Sequence, residues 1–282
     1  MTDYHRFSHE AMATAFEIII AQDDVDATYA AQAAEAVFAE IDRLEDELSR
    51  FRPTSEISRL NRLRAGESLA VSLAAWDCLN LAKSVHAETD GAFDITIGPL
   101  MQLWRSPDGS LHEPEAERLA LARKSIGSEL FELEEDGCRV RALADHMVFD
   151  LGAVGKGYAL DQAVQILQDW EISRVFLNAG DSTLLALDGP SGEEAWPVTL
   201  AEGALEKTLR DQALSGSGFM VQGAHLMNPR TLRPVPVQEK RSYALAPTAA
   251  LSDALSTAFM IMSPEEIHTL CTRYPGVAWL EL

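Results

Sequence analysis

The stretch D-L-G-A-V-G-K-G-Y, Asp150 to Tyr158, puts three glycines and a lysine between an apolar run at Met147 to Leu151 and a helix-patterned run from about Tyr158 to Trp170. Glycine at this density marks a tight turn, and where such a turn opens a helix its backbone N–H groups form a ready anion site. It is not a P-loop, because Gly152 and the Gly155-Lys156 pair are too close together and Gly157 stands where Ser or Thr belongs. Nor is it a dinucleotide fingerprint, because the glycine order is reversed. With Arg174 to Asn178 reading as a strand, the local expectation is strand, glycine turn, helix, strand, a βαβ-like unit. The same glycines also serve tight packing with no ligand.

The rest of the chain reads as mixed elements. Tyr4 to Gln22 ends in the β-branched run F-E-I-I-I, a buried strand. Ala30, Ala34, Val37, Ile41, Leu44 and Leu48 recur at helical spacing with an acidic opposite face, and Pro53 ends that pattern. Shorter helices are expected over Ser55 to Arg64 and, after a Ser72 cap, Leu73 to Val85. R-S-P-D-G-S-L-H-E-P-E, residues 105–115, reads as a surface loop and a candidate lobe boundary within one domain spanning residues 1–282. Strands follow at Leu130 to Leu133, Cys138 to Arg141 and Met147 to Leu151, then an antiparallel meander from Thr183 to Leu245. Thr248 or Ser252 caps a helix through Met262, S-P-E-E at 263–266 starts another, and residues 276–282 close as a strand. The class that fits is α+β.

Composition narrows the function. With 23 Lys and Arg against 44 Asp and Glu the net charge is −21, the wrong sign for a nucleic-acid binder or an anionic membrane surface. No run of about 18 apolar residues exists, so no membrane span is expected. The N-terminus shows no signal-peptide pattern, which predicts a cytoplasmic protein; a removed leader would allow an exported one. Cys78, Cys138 and Cys271 are too few and too far apart for a disulfide framework or zinc knuckle, and buried reduced thiols are expected.

Several positions carry candidate chemistry. Asp253 and Thr257, four residues apart in D-A-L-S-T, project from one helix face and could hold one hard cation together with a diphosphate; the bland alternative is a dipole-favoured Asp with Thr257 bonded back along the helix. Lys156 and Asp150 tilt the glycine turn towards anion and metal chemistry. T-D-G-A-F-D-I-T-I-G-P-L, Thr89 to Leu100, offers Asp90, Phe93 and Asp94 around a small-residue turn that could lie along a planar ligand. His225, before the turn at Asn228-Pro229, can take a proton from a hydroxyl near neutral pH. His5, His9, His86, His112, His146 and His268 have no comparable setting.

In order along the chain, A-M-A-T-A-F at 11–16, L-S-R-F-R-P-T-S-E-I-S-R-L-N at 48–61, D-G-A-F-D-I-T-I-G-P-L at 90–100, D-L-G-A-V-G-K-G-Y-A-L-D at 150–161, N-A-G-D at 178–181, S-G at 215–216, H-L-M-N-P-R-T at 225–231 and D-A-L-S-T at 253–257 resemble the ApbE family of FAD:protein FMN transferases. The resemblance implies a mixed fold of two lobes, antiparallel sheets flanked by helices, with FAD and Mg²⁺ in the cleft between them. It implies transfer of FMN through a phosphoester to a Thr or Ser hydroxyl of a target flavoprotein, with AMP as leaving group. Carried over, Met12, Phe51, Ala92, Phe93, Asp94, Asp150, Lys156 and Met227 contact FAD; Asp253, Thr257 and the carbonyl of Ala153 bind the metal; His225 is the base, with Asp150 the fallback. Four departures stand out: Ala13 replaces a family glycine, 178–181 has one glycine fewer, Asn228 replaces an aspartate, and Arg233 lies where a glycine commonly follows. The competing readings are an Mg²⁺-dependent FAD pyrophosphatase with water as acceptor, a non-catalytic FAD-binding assembly factor, and an acidic domain with purely structural turns.

Overall fold

The computed structural model describes residues 4–106, 110–200, 203, 205–218, 226–236 and 241–281. In chain order the strands and helices are β1 (His5–Ala11), β2 (Thr14–Ile20), α1 (Ala27–Leu48), α2 (Glu56–Leu60), β3 (Ser68–Ala70), α3 (Leu73–Glu88), α4 (Gly98–Trp104), α5 (Ala116–Ala122), β4 (Phe131–Glu134) and β5 (Arg139–Ala142). After the glycine turn come α6 (Gly155–Asp169), β6 (Val175–Ala179), β7 (Thr183–Ala186), β8 (Trp196–Leu200), β9 (Leu205–Leu209), β10 (Gln212–Ser217), β11 (Met227–Asn228), β12 (Arg233–Pro234), β13 (Ser242–Ala246), α7 (Ala249–Phe259), α8 (Pro264–Arg273) and β14 (Ala278–Glu281).

The platform is a seven-stranded sheet in the order β1-β2-β6-β7-β10-β13-β14, every neighbouring pair antiparallel. Alternation along its strands divides two apolar faces. Phe16, Ile18, Val175, Leu177, Ala213 and Ala244 point into the main core, where α1 packs on α6, α6 packs on α7, and the helices cover the sheet. Ile19, Phe176, Leu214 and Tyr243 point the other way, into a second cluster closed by Trp196, Val198 and Leu209 of the β8–β9 hairpin. Cover on both faces explains why F-E-I-I-I reads as a nearly continuous apolar run. The fold is α+β with antiparallel sheets and helices.

The βαβ-like unit is not formed. Met147 to Leu151 is no strand: it makes one parallel bridge, Val148 to Ile97, and the Phe149 backbone is taken by a side chain, Asn61 Nδ2 donating to Phe149 O at 3.2 Å and Phe149 N to Asn61 Oδ1 at 2.7 Å. With both backbone groups of Phe149 bonded to one amide, no strand can add on that edge, the other edge bonds only to residues 95–98, and β6 lies between antiparallel neighbours instead. Other differences are smaller. The helix expected over 55–64 stops at Leu60, and α4 and α5 have no counterpart in the sequence pattern; the F-E-I-I-I run forms β2 as expected, paired with β1 in a hairpin. Thr248, not Ser252, caps α7; the Ser252 hydroxyl donates to Ala244 O. The capping box at Ser263 and Glu266 is formed, and Ser72 caps α3. The three cysteines are free, but only Cys78 is fully buried; Cys138 and Cys271 are half-buried. No helix among the described residues is long and apolar enough to cross a membrane.

Candidate active site

The site assembles where the N-termini of α6 and α7 meet. Gly157 lies so close to α7 that a Cβ there would sit 2.2 Å from the Ala249 carbonyl oxygen, so only glycine permits this approach. Across the contact, Gly157 N donates to Asp253 Oδ2 at 3.3 Å, and Lys156 Nζ stands 3.9 Å from the same oxygen while donating to Gly152 O. Asp253 is 5% exposed. Burial pushes its carboxyl above the usual range, opposed by Lys156, the Gly157 N–H and the Thr183 hydroxyl. Ser215 Oγ in turn donates to Thr183 Oγ1 at 3.3 Å. One helical turn on, Thr257 Oγ1 lies 3.3 Å from Ser217 Oγ and bonds back to Asp253 O at 3.4 Å. Ala153, half-buried, sits in the turn that leads into α6.

A second group adjoins this one through the backbone, Asp150 N donating to Ile95 O at 2.7 Å. Asp94 Oδ1 accepts from Thr96 N and Oγ1 at 2.8 and 2.7 Å, and His86 Nδ1 is 3.3 Å from Asp94 Oδ2. Burial is the main influence on Asp94 and raises it, with Thr96 and His86 opposing. Ala92 and Phe93 are buried in the main core. Asp150 holds Gly152 N at 2.9 Å and pairs with Arg50 Nε at 3.0 Å, and the Arg50 guanidinium lies 4.2 Å over the ring of Phe51, which is 77% exposed. Met227 is buried against Leu100, Trp104 and Ile126. Its turn is fastened by Arg230, which donates to Thr89 O and Asp90 O and pairs with Glu266 at 2.8 Å. Met12 forms, with Ala13, the two-residue turn between β1 and β2. His225, the candidate base, lies outside the described residues.

The departures have local explanations. Met12 and Ala13 have φ of 50° and 59°, the left-handed pair that a two-residue hairpin of this type requires and that glycine adopts without strain. Asn228 Oδ1 accepts from Arg230 N and Thr231 N, the job an aspartate oxygen would do. Arg233 pairs with Glu113 at the surface. Asn178 ties its own turn, accepting from Asp181 N and donating to Asp181 and Glu17. Gly180 has a φ of 60°, and a Cβ there would fall 1.9 Å from Thr14 Oγ1, which brings this turn against the Met12 hairpin.

The ApbE family model matches residues 12–280. The chain belongs to the ApbE family. FAD:protein FMN transferase of Klebsiella pneumoniae (strain 342) is 28% identical over 266 residues, 86% of this chain and 74% of that protein. The Escherichia coli (strain K12) protein of the same name is 27% identical over 270 residues, 88% of this chain and 76% of its own. The solved Pseudomonas stutzeri flavinyl transferase ApbE, apo form, shares the fold with a TM-score of 0.85 at 24% identity, covering 99% of this chain and 92% of that one. Within the ApbE frame, Arg50, His86, Asp161, Thr183, Ser217 and Arg230 are contributors that sequence patterning did not assign. Of these, Arg50, Asp161 and Arg230 had a signal, as members of the family motifs at 48–61, 150–161 and 225–231 without a role.

Proposed function

We propose that this chain is an FAD:protein FMN transferase. The acceptor's Thr or Ser hydroxyl oxygen bonds to the phosphorus of the FMN half of FAD, the P–O bond to the adenylate breaks, and AMP leaves. His225 takes the hydroxyl proton, a role that rests on its match to the family histidine. FAD lies in a cleft between two lobes, its diphosphate at the N-terminus of α6, where Lys156 and the backbone N–H groups supply positive potential.

The observation that supports this reading most is Asp253. A buried carboxylate whose nearest cation is 3.9 Å away and whose N–H partner is at 3.3 Å lacks a close counter-charge. Among the described residues no three His, Cys, Asp or Glu gather as a metal cluster. A carboxylate, the Thr257 hydroxyl and the Ala153 carbonyl are hard oxygen donors that fit Mg²⁺, with substrate phosphate and water completing the shell. Bound there, Mg²⁺ would neutralise charge developing on the diphosphate. Lys156 orients the diphosphate, Arg50 fixes Asp150 beneath the glycine turn, and Phe51 offers an exposed apolar face to the flavin.

Incubation with FAD, Mg²⁺ and a flavoprotein domain bearing an accessible Thr or Ser is expected to yield covalent FMN on that domain and one AMP per FMN. Equal free FMN and AMP with an unmodified acceptor would replace this reading with FAD hydrolysis.

A further inference from the structure

Asp161, one turn beyond Gly157 on α6, faces the first turn of α7. Its Oδ1 accepts from Ala249 N at 2.7 Å and its Oδ2 from Ala250 N at 2.9 Å, capturing two N–H groups that a helix start leaves without intrahelical partners. Thr248, the N-cap residue of α7 itself, accepts only from Leu251 N, at 3.4 Å. The two helices therefore grip each other reciprocally. Asp253 of α7 accepts from the Gly157 N–H of α6, and Asp161 of α6 accepts from the Ala249 and Ala250 N–H groups of α7. Between the two grips the backbones touch at Gly157 and Ala249, with no side chain to act as a spacer.

We propose that Asp161 is a positioning residue for the cation-binding edge of the site, setting the axial register of α7 against α6 and so the placement of Asp253 and Thr257 beside Lys156. The two bonds are short and charge-assisted, and they converge on one carboxylate, so they fix both translation and rotation of the first turn of α7. Asp253 and Thr257 follow on the same rigid helix, and sliding that helix would carry both oxygens away from the α6 turn together. Partners bonded directly to a ligating group commonly contribute about 10- to 100-fold to metal affinity, and Asp161, which acts through the helix backbone, is placed at the lower end of that range.

The inference rests on the metal reading above, and the experiment separates the two. Mn²⁺ is titrated into the full chain with FAD present and read by loss of the free-ion electron paramagnetic resonance signal, alongside the Tm of each variant. The parent is expected to bind saturably and Asp253→Ala to lose that binding; a parent that does not bind, or an Asp253→Ala variant that binds like it, overturns the metal reading and this inference with it. With those two separated, Asp161→Asn is expected to bind Mn²⁺ about tenfold more weakly, and to recover most of its transfer rate at saturating Mg²⁺. Thr248→Ala, which removes the ordinary cap but leaves the Asp161 grip, is expected to lower Tm and shift Mn²⁺ affinity less than twofold. If Asp161→Asn fails to fold, Asp161→Glu carries the test, with affinity weakened severalfold by the displaced carboxylate. Mn²⁺ affinity within twofold of the parent in the folded Asp161 variant would overturn the inference, as would equal losses in the Asp161 and Thr248 variants.

Discussion

Asp94 and Asp253 are both buried carboxylates raised by burial, yet the groups that hold them come from different distances along the chain. Asp94 is held by Thr96, two residues on, through both its backbone N–H and its hydroxyl, and by His86 on the preceding helix. Asp253 takes its N–H partner from Gly157 and its cation from Lys156, nearly a hundred residues earlier, and a hydroxyl from Thr183 of β7. The Asp94 carboxylate is thus held by near neighbours in sequence, while its loop also takes remote bonds from Asp150, Arg230 and Gly127. The Asp253 site exists only while α6, α7 and the end of the sheet are docked. The first is a locally held carboxylate; the second is a junction, and the junction carries the chemistry proposed for the diphosphate.

Breaking the junction should cost most. Gly157→Ala pushes a methyl group into the Ala249 carbonyl, forcing α6 and α7 apart. Transfer is expected to fall on the order of a hundredfold, as a displacement of about 1 Å can produce, with stability down by about 1–3 kcal/mol. Steady-state transfer assays and thermal unfolding measure the two effects, and unchanged values for both would mean that the helices are not tightly docked there.

The second test uses pH. Burial, with backbone N–H bonds from Ala250 and Ala249 opposing and the Asp253 charge adding to it, pushes Asp161 up to about 6 from a reference of 3.8. The folded state thus binds a proton more tightly than the unfolded chain. This group's contribution to stability falls as pH rises from about 4 to about 6 and stays low above that, by about 3 kcal/mol at most. Asp161→Asn lacks the titration, so its stability relative to the parent should rise over the same interval in denaturant melts at stepped pH. A flat difference would show that Asp161 is not held in an unfavourable medium.

How much of this was legible in the sequence follows the same division. Ser72, the Ser263–Glu266 box and the Asp94–Thr96 pair act over two or three residues, and residue type with spacing reveals such contacts or the turn that contains them. The i, i+4 placement of Asp253 and Thr257 was equally readable. The contacts of Asp161, Thr183 and Ser217 were not, since their partners lie on other elements; Asp161 closes the motif at 150–161, which gives no hint of its bonds to α7. The failed βαβ unit has the same cause: Met147 to Leu151 has strand composition, but Asn61, remote in sequence, takes the backbone bonds of Phe149. Arg230 likewise announces a turn locally, while its clasp on Thr89, Asp90 and Glu266 is visible only in three dimensions.

The locally held carboxylate supplies the smallest expected effect. Thr96→Val removes the hydroxyl that bonds Asp94 and accepts from Gly127 N, and should lower stability by about 1–2 kcal/mol while leaving the metal dependence of transfer as it was. A shifted metal requirement in this variant would show that the two carboxylates are not independent.

The central claim, that the Asp253 carboxylate at the α6–α7 junction sustains flavin transfer, is tested most directly by the intact mass of an acceptor flavoprotein domain after incubation with FAD, Mg²⁺ and either the parent or Asp253→Ala. The account predicts acceptor carrying one FMN with the parent and unmodified acceptor with a folded Asp253→Ala variant. Equal FMN addition by the two proteins would contradict it.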